Sequence, residues 1–292
     1  MIICIVGPTG VGKTKLSIEL AKKLNGEVIN ADSTQVYAGL DIATAKVTEE
    51  EKEGIPHHLF DIKDISVDYT VYDYQKDCRN IINDIINRGK IPIMVGGTGL
   101  YIKAALYDYQ FKEEVKKHDY SEFSNEELYN LLKSIDSNTL IHVNNRKRVE
   151  RALDYYYEHN EPISNNKTDK LLYDVLFIGL TTDRDILYDR INKRVDIMVN
   201  NGLLDEARKI YDSNIRSKAV MTPIGYKELF PYFDHEKSID ECLNLMKQNS
   251  RKYAKRQYTW FNNQMRVVWF NVDFNDFNNT VNEIIEYIKK ND

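Results

Sequence analysis

Met1-Ile2-Ile3-Cys4-Ile5-Val6-Gly7-Pro8-Thr9-Gly10-Val11-Gly12-Lys13-Thr14 decides the fold. Ile2 to Val6 is an apolar run of strand length. Gly7 to Thr14 has the form G-x-x-x-x-G-K-[ST], and a helical spacing of Leu16, Leu20 and Leu24 follows. Strand, glycine loop and helix start are the context in which this motif cradles phosphate. Gly7, Gly10 and Gly12 let the backbone curl so that successive N–H groups converge on phosphate oxygens. Lys13 adds a point charge, Thr14 offers a hydroxyl to Mg²⁺, and the helix N-terminus favours negative charge. A phosphorylated ligand is expected here. The stretch does not say which one.

Downstream, strand-like runs at Glu27–Ala31, Ile91–Val95, Val175–Leu180 and Arg266–Val272 alternate with helical patterns. The expected fold is α/β: a P-loop NTPase-like parallel sheet flanked by helices, with a helical insertion. Residues 1–111 and 169–292 read as the core. Residues 112–168, polar and rich in Tyr, read as the insertion, with helices over Asn125–Lys133 and Arg146–Tyr157. Val71 to Arg88 reads as a core helix, Ile55 to Ile62 as a strand, and Val281 to Lys289 as a closing helix. Asp183 is placed to cap a helix striped by Leu187, Ile191, Val195 and Met198.

Residues just past strand ends line the ligand crevice of such sheets. Asp32-Ser33-Thr34-Gln35 therefore falls beside the loop, although Asp and Ser also suit a helix cap, and spacing alone leaves both readings open. Many P-loop enzymes end a strand like Ile91–Val95 with an acidic Mg²⁺ ligand. Here Val95 is followed by Gly96-Gly97-Thr98, which implies a different metal and phosphate arrangement and a close backbone approach to ligand. His57-His58 has no third ligand at useful spacing, so hydrogen-bonded histidines fit better than a metal site.

Two basic features stand out in a chain of net charge −5. Arg146, Lys147, Arg148 and Arg151 cluster on one insertion helix, where a solvated face is the ordinary explanation. Between Cys242 and Val272 there is no Asp or Glu, while Lys247, Arg251, Lys252, Lys255, Arg256 and Arg266 fall among Tyr253, Tyr258, Trp260 and Phe261. Cations interleaved with aromatics grip phosphate backbones and stack bases, which favours nucleic-acid contact. Arg184, Arg190 and Arg194 suit a phosphate clamp, or pairing with Asp185, Asp189 and Asp196. The 292 residues, 42% hydrophobic, can bury a full core, no apolar run reaches membrane-span length, and three distant cysteines suggest a reduced, cytoplasmic protein.

With these blocks in order, the chain resembles the bacterial tRNA dimethylallyltransferases, the isopentenyl transferases of tRNA, over nearly its whole length. The resemblance rests on Gly7–Thr14, Asp32-Ser33-Thr34-Gln35-Val36-Tyr37, Pro56-His57-His58-Leu59, Gly96-Gly97-Thr98-Gly99-Leu100-Tyr101, Arg148 with Arg151-Ala152-Leu153, Gly202-Leu203, Ile224-Gly225-Tyr226-Lys227-Glu228 and Tyr253–Phe261. It implies transfer of a dimethylallyl group from dimethylallyl diphosphate to N6 of the adenosine at position 37 of tRNA. The P-loop (Gly7, Pro8, Thr9, Gly10, Val11, Gly12, Lys13, Thr14) with Arg190 and Arg194 would hold the leaving diphosphate and its Mg²⁺, Thr14 being the metal contact. Asp32 carries over as general base and tRNA contact, with Lys13 and Thr98 as further catalytic residues, Thr98 also as a contact between tRNA or substrate and the diphosphate region. Ser33, Thr34 and Gln35 are candidates to read a flipped adenine, and Lys147, Arg148, Arg151, Arg251, Lys255 and Arg256 to contact tRNA. A monomer is expected. Residues Lys112 to Ile141 match the family poorly, and Thr222-Pro223 departs from its usual pattern. The alternatives are a P-loop phosphotransferase, an enzyme prenylating free adenylate, and a nucleotide-switched nucleic-acid-binding module.

Overall fold

A computed structural model describes residues 1–111, 117–166 and 170–291. The expected insertion boundaries at 112 and 168–169 lie outside the described residues. The chain divides into two compact units, Met1–Leu106 with Leu171–Asp292, and Tyr107–Lys170.

The larger unit is built on β1 (Ile2–Val6), followed by α1 (Lys13–Leu24), β2 (Gly26–Asn30), a short α2 (Glu49–Lys52), β3 (His57–His58), α3 (Val71–Asn87), β4 (Ile91–Val95) and α4 (Gly99–Leu106). The smaller unit holds α5 (Asn125–Ile135) and α6 (Arg146–His159). The larger unit resumes with β5 (Val175–Thr181), α7 (Arg184–Asn200), α8 (Leu203–Asp212), α9 (Lys218–Met221), α10 (Tyr226–Phe233), α11 (Ile239–Gln264), β6 (Val268–Asn271) and α12 (Phe277–Lys290). All strand pairs are parallel, and the six-stranded order is β3-β2-β4-β1-β5-β6. β1 is fully buried at the centre, as its unbroken apolar run requires of a strand covered on both faces.

Helix ends follow local chemistry. Thr70 and Ser238 open α3 and α11 with reciprocal capping boxes to Asp73 and Glu241, and Asn25 closes α1 at φ 52°. Asp183 occupies the cap position of α7, but its side chain makes no capping bond, contrary to expectation. The expected strand over Ile55–Ile62 is reduced to two residues because Leu59 (φ 64°) and Asp61 (φ 55°) turn left-handed and break the pleat.

The core closes on Ile3, Ile5, Leu16, Leu20, Val28, Ile93, Ile178, Leu180, Ile284 and Ile288. Beneath it Glu27, 1% exposed, accepts from Arg88, Lys90 and His58. The Arg88 hydrogen bond holds the Glu27 carboxyl well below its ordinary range, burial opposes it, and Lys90 and His58 add to the lowering. In the smaller unit Leu128, Leu132, Val149 and Leu153 make a separate core. No described helix is long and apolar enough to cross a membrane.

Candidate active site

The sheet order brings the C-terminal ends of β2, β4 and β1 side by side. Parallel strands open their ligand crevice at that edge. Gly7 (φ 137°), Gly10 (φ 84°) and Gly12 (φ 101°) all adopt left-handed backbone, so the loop after β1 curls as its glycines dictate. A Cβ at Gly7 would also lie 2.5 Å from the Leu180 carbonyl oxygen. Lys13 starts α1, where the first N–H groups lack intrahelical partners and the helix dipole is positive.

Lys13 Nζ donates to the carbonyls of Gly7 (2.9 Å) and Pro8 (2.8 Å). Burial, then the Arg194 guanidinium, lowers its pKa to about 7, and the Asp32 carboxylate opposes them. Arg194 reaches Thr9 Oγ1 at 3.4 Å, and burial draws its own pKa down. Arg190 Nε donates to Gly10 O at 3.0 Å, with its guanidinium 3.8 Å from the Phe274 ring centre. Both arginines therefore come from α7 to the loop. Arg184, on the same helix, stacks on Tyr188 instead.

Asp32 is not a helix cap. Its Oδ1 accepts from Thr34 N (3.0 Å) and Thr34 Oγ1 (2.7 Å) in an Asx turn. Ser33 N donates to Thr98 Oγ1 at 3.0 Å, and that hydroxyl donates to Ser33 Oγ at 3.2 Å, joining the ends of β2 and β4. Gln35 uses its Nε2 donors on the carbonyls of Thr44 (2.9 Å) and Ala45 (3.3 Å). It therefore cannot form the two-point adenine contact expected of a free glutamine, because its amine is committed.

The glycines after β4 serve the chain itself. A Cβ would lie 2.2 Å from the Ala31 carbonyl carbon at Gly96, 2.0 Å from Gln257 Nε2 at Gly97, and 2.1 Å from the Trp260 ring at Gly99. The close approach is thus to backbone and to α11. Sequence marks Gln257 only as a member of the Tyr253–Phe261 block. The close packing of its amide against Gly97 and Thr9 is what reveals it.

Of the aromatics interleaved on α11, Phe261 is core and unable to stack a base, while Tyr258 is exposed and Tyr253 and Trp260 are half-buried. Phe261 is fully buried, Trp260 packs over Gly99, and Tyr258 lies 4.8 Å from Trp269. Tyr253 lines the cavity described below; burial and then the Asp32 carboxylate raise its phenol pKa, while bonds to Thr98 and Gln257 oppose this. Of the cations, Lys252, Lys255 and Arg256 are exposed. Lys247 pairs with Asp196 at 2.5 Å. Arg251 donates to Asn192 at 2.6 Å and lines a separate groove of about 630 Å³ with Lys237 and Lys247. In the smaller unit Lys147, Arg148 and Arg151 are exposed on α6, while Arg146 is tied to Glu150 and the Tyr120 carbonyl.

Lys13, Thr14, Arg190, Arg194, Asp32 and Gln35 line one cavity of about 960 Å³. Ala43, Val47, Ile197, Met198, Ile224 and Met246 supply its apolar wall. His57 lines it too; its Nδ1 meets Ile55 O at 2.8 Å, but its buried Nε2 has no hydrogen-bond partner among the described residues. Among the described residues no group of three or more His, Cys, Asp or Glu could hold a metal ion. Thr14, exposed on the first turn of α1, suits a different arrangement, in which Mg²⁺ keeps waters and phosphate oxygens and takes one protein ligand. Such a site can bind a phosphorylated, partly apolar molecule and hold a carboxylate near it.

Residues 35–264 match the model of the IPP transferase family. A tRNA dimethylallyltransferase of Anoxybacillus flavithermus is 49% identical, with 99% of this chain and 96% of that protein aligned. One from Geobacillus kaustophilus is 50% identical over 97% of this chain and 95% of its own. Among solved structures, a tRNA delta(2)-isopentenylpyrophosphate transferase of Staphylococcus epidermidis superposes with a TM-score of 0.76 at 44% identity, covering 100% of this chain and 99% of that one. A eukaryotic dimethylallyltransferase acting on tRNA superposes with a TM-score of 0.82 at 33% identity, covering 97% and 77%.

Proposed function

The chain belongs to the IPP transferase family, and from that premise we propose that it transfers a dimethylallyl group from dimethylallyl diphosphate to N6 of the adenosine at position 37 of tRNA. The observation that carries the reading is the shared cavity, in which an anion nest, two arginines and an apolar wall meet the Asp32 carboxylate.

The N6 lone pair attacks the allylic C1, the C1–O bond breaks, and its electron pair leaves on the diphosphate. The Asp32 carboxylate takes the proton that N6 sheds. Negative charge grows on the diphosphate as the bond breaks, so Lys13, the loop N–H groups, Arg190 and Arg194 stabilise the transition state more than the ground state. Mg²⁺, when bound with Thr14 as its protein ligand, supplies further positive charge to the leaving group. Thr98, held to Ser33, orients the strand end that carries Asp32. Burial of the site requires the adenine to leave its stack. Ser33, Thr34 and the side-chain carbonyl oxygen of Gln35 are the groups proposed to meet it. Exposed Lys255 and Arg256, and Lys147, Arg148 and Arg151 on α6, are proposed to grip the RNA backbone, with Arg251 contributing from the neighbouring groove. The proposed working unit is a monomer.

The test is incubation with dimethylallyl diphosphate, Mg²⁺ and unmodified tRNA, followed by mass spectrometry of the digested nucleosides. N6-dimethylallyladenosine is expected. Its absence, with ATP-dependent phosphorylation of a small acceptor, would replace this reading with a phosphotransferase.

A further inference from the structure

Three stretches far apart in the chain converge on one amide. Gln257, on α11 and 5% exposed, accepts the Thr9 N–H at 2.9 Å and donates from Nε2 to the Gly97 carbonyl at 3.2 Å. Tyr253, one helical turn earlier, bonds through its side chain to both Gln257 and Thr98. Gly97 makes the room, since a Cβ there would sit 2.0 Å from Gln257 Nε2.

We propose that Gln257 is a positioning residue that sets the separation between the diphosphate-holding loop and the Asp32–Thr98 strand ends; this rests on the transfer reaction proposed above. The loop runs through three glycines in left-handed backbone and needs an external brace to hold one geometry. Gln257 supplies it from the opposite end of the sequence. The same amide is bonded to Gly97, and Thr98 N donates to Ala31 O beside Asp32. Leaving group and base are thereby tied to one side chain. Few residues can do this. Thr9 N–H needs an acceptor and Gly97 C=O a donor, so glutamate lacks one half, leucine lacks both, and asparagine is a methylene short. Thr9 N–H is committed to Gln257, so the effect on the donor passes through loop geometry. Misplacing a reacting group by about 1 Å costs on the order of 10²-fold in rate.

The test compares Gln257→Leu, Gln257→Glu and Gly97→Ala with Phe261→Leu, which removes core packing from the same helix. Calorimetry with inorganic diphosphate and Mg²⁺ reads the loop, single-turnover prenylation of tRNA reads the chemistry, and thermal unfolding reads stability. Gln257→Leu is expected to weaken diphosphate by about tenfold and lower the chemical rate by on the order of 10²-fold, leaving tRNA affinity unchanged. Gln257→Glu, which keeps the acceptor for Thr9, recovers part of the diphosphate binding and little of the rate. Gly97→Ala displaces the Gln257 side chain without altering it and reproduces the Leu variant, which covers the case of a Leu variant that does not fold. Phe261→Leu lowers Tm with neither loss. Wild-type diphosphate affinity and rate per folded molecule in the Gln257 and Gly97 variants, or losses matched by Phe261→Leu at equal Tm, would overturn the proposal. If the wild-type chain prenylates no tRNA, the functional reading fails, and the diphosphate measurement still decides the role of Gln257.

Discussion

Lys13 and Asp32 share one cavity: burial and then the Arg194 guanidinium lower the Lys13 pKa to about 7, against the opposing Asp32 carboxylate. Burial is the larger of the two lowering causes, and the Arg194 guanidinium adds to it.

This relationship fixes a pH dependence. The folded value of Lys13 lies below its ordinary 10.5, so the unfolded chain binds more protons between about pH 7 and 10.5. The Lys13 contribution to ligand-free stability thus rises with pH across that window, and its penalty is complete below it. Lys13→Met should raise the ligand-free Tm at pH 6.5 while weakening diphosphate by about tenfold or more. Thermal scans and calorimetry check both; a lower Tm would mean that the bonds to Gly7 and Pro8 outweigh the burial.

Asp32→Asn should fold, because an amide oxygen can still accept from Thr34 N and Thr34 Oγ1. Without a carboxylate to take the N6 proton, the chemical rate should fall by about 10²–10⁴-fold with tRNA affinity preserved. Filter binding and single-turnover prenylation separate the two. A large loss of tRNA affinity would make Asp32 a binding residue.

Lys255→Ala with Arg256→Ala should weaken tRNA binding and reduce the slope of log affinity against log salt by about 1 for each phosphate left without its cation. Both side chains are exposed, so the fold should not change. An unaltered salt slope would remove this face of α11 from the RNA interface.

Glu27→Gln should cost about 1.5–3 kcal/mol, the range for hydrogen bonds to charged groups, because the buried carboxylate serves Arg88, Lys90 and His58. The folded carboxyl titrates below its ordinary 4.5, so its contribution is present above that value and fades as pH falls through the folded one. Wild type and variant should therefore converge in stability as the solution is acidified, which urea unfolding at several pH values will test.

Gly96→Ala and Gly97→Ala should differ. At Gly96 the new Cβ meets rigid Ala31 backbone at 2.2 Å, and the chain should fail to fold or lose most of its stability. At Gly97 the obstacle is the far end of the Gln257 side chain, which can give way at the cost of its bonds to Thr9 and Gly97, so folding should survive and function suffer. Comparing soluble yield and Tm of the two decides it.

The P-loop was legible because its chemistry is local: glycines, a lysine and a hydroxyl at fixed spacing after an apolar run suffice to define it. The central strands were legible for the same reason. The segment from Ile55 to Ile62 was not, because the left-handed turns at Leu59 and Asp61 depend on long-range bonds such as Asn30 Nδ2 to Leu59 O. Helix α8 carries an apolar stripe of Leu203, Ala207 and Ile210, but over only 10 residues, and α9 and α10 are shorter still, so the region was marked only by the blocks around Gly202 and Ile224.

Sequence by itself determined the parallel α/β core, the anion-binding loop and the placement of Asp32 at a strand end, since these follow from periodicity and residue chemistry over short spans. Tertiary structure alone decided how Arg190 and Arg194 bond to the loop while Arg184 stacks on Tyr188; that Gly96, Gly97 and Gly99 make way for Ala31, Gln257 and Trp260; and that Phe261 is core. The reason is physical. Which face of a helix turns toward a site, and which distant side chain fills the space a glycine leaves, are set by packing between elements far apart in the chain, and no local pattern records it.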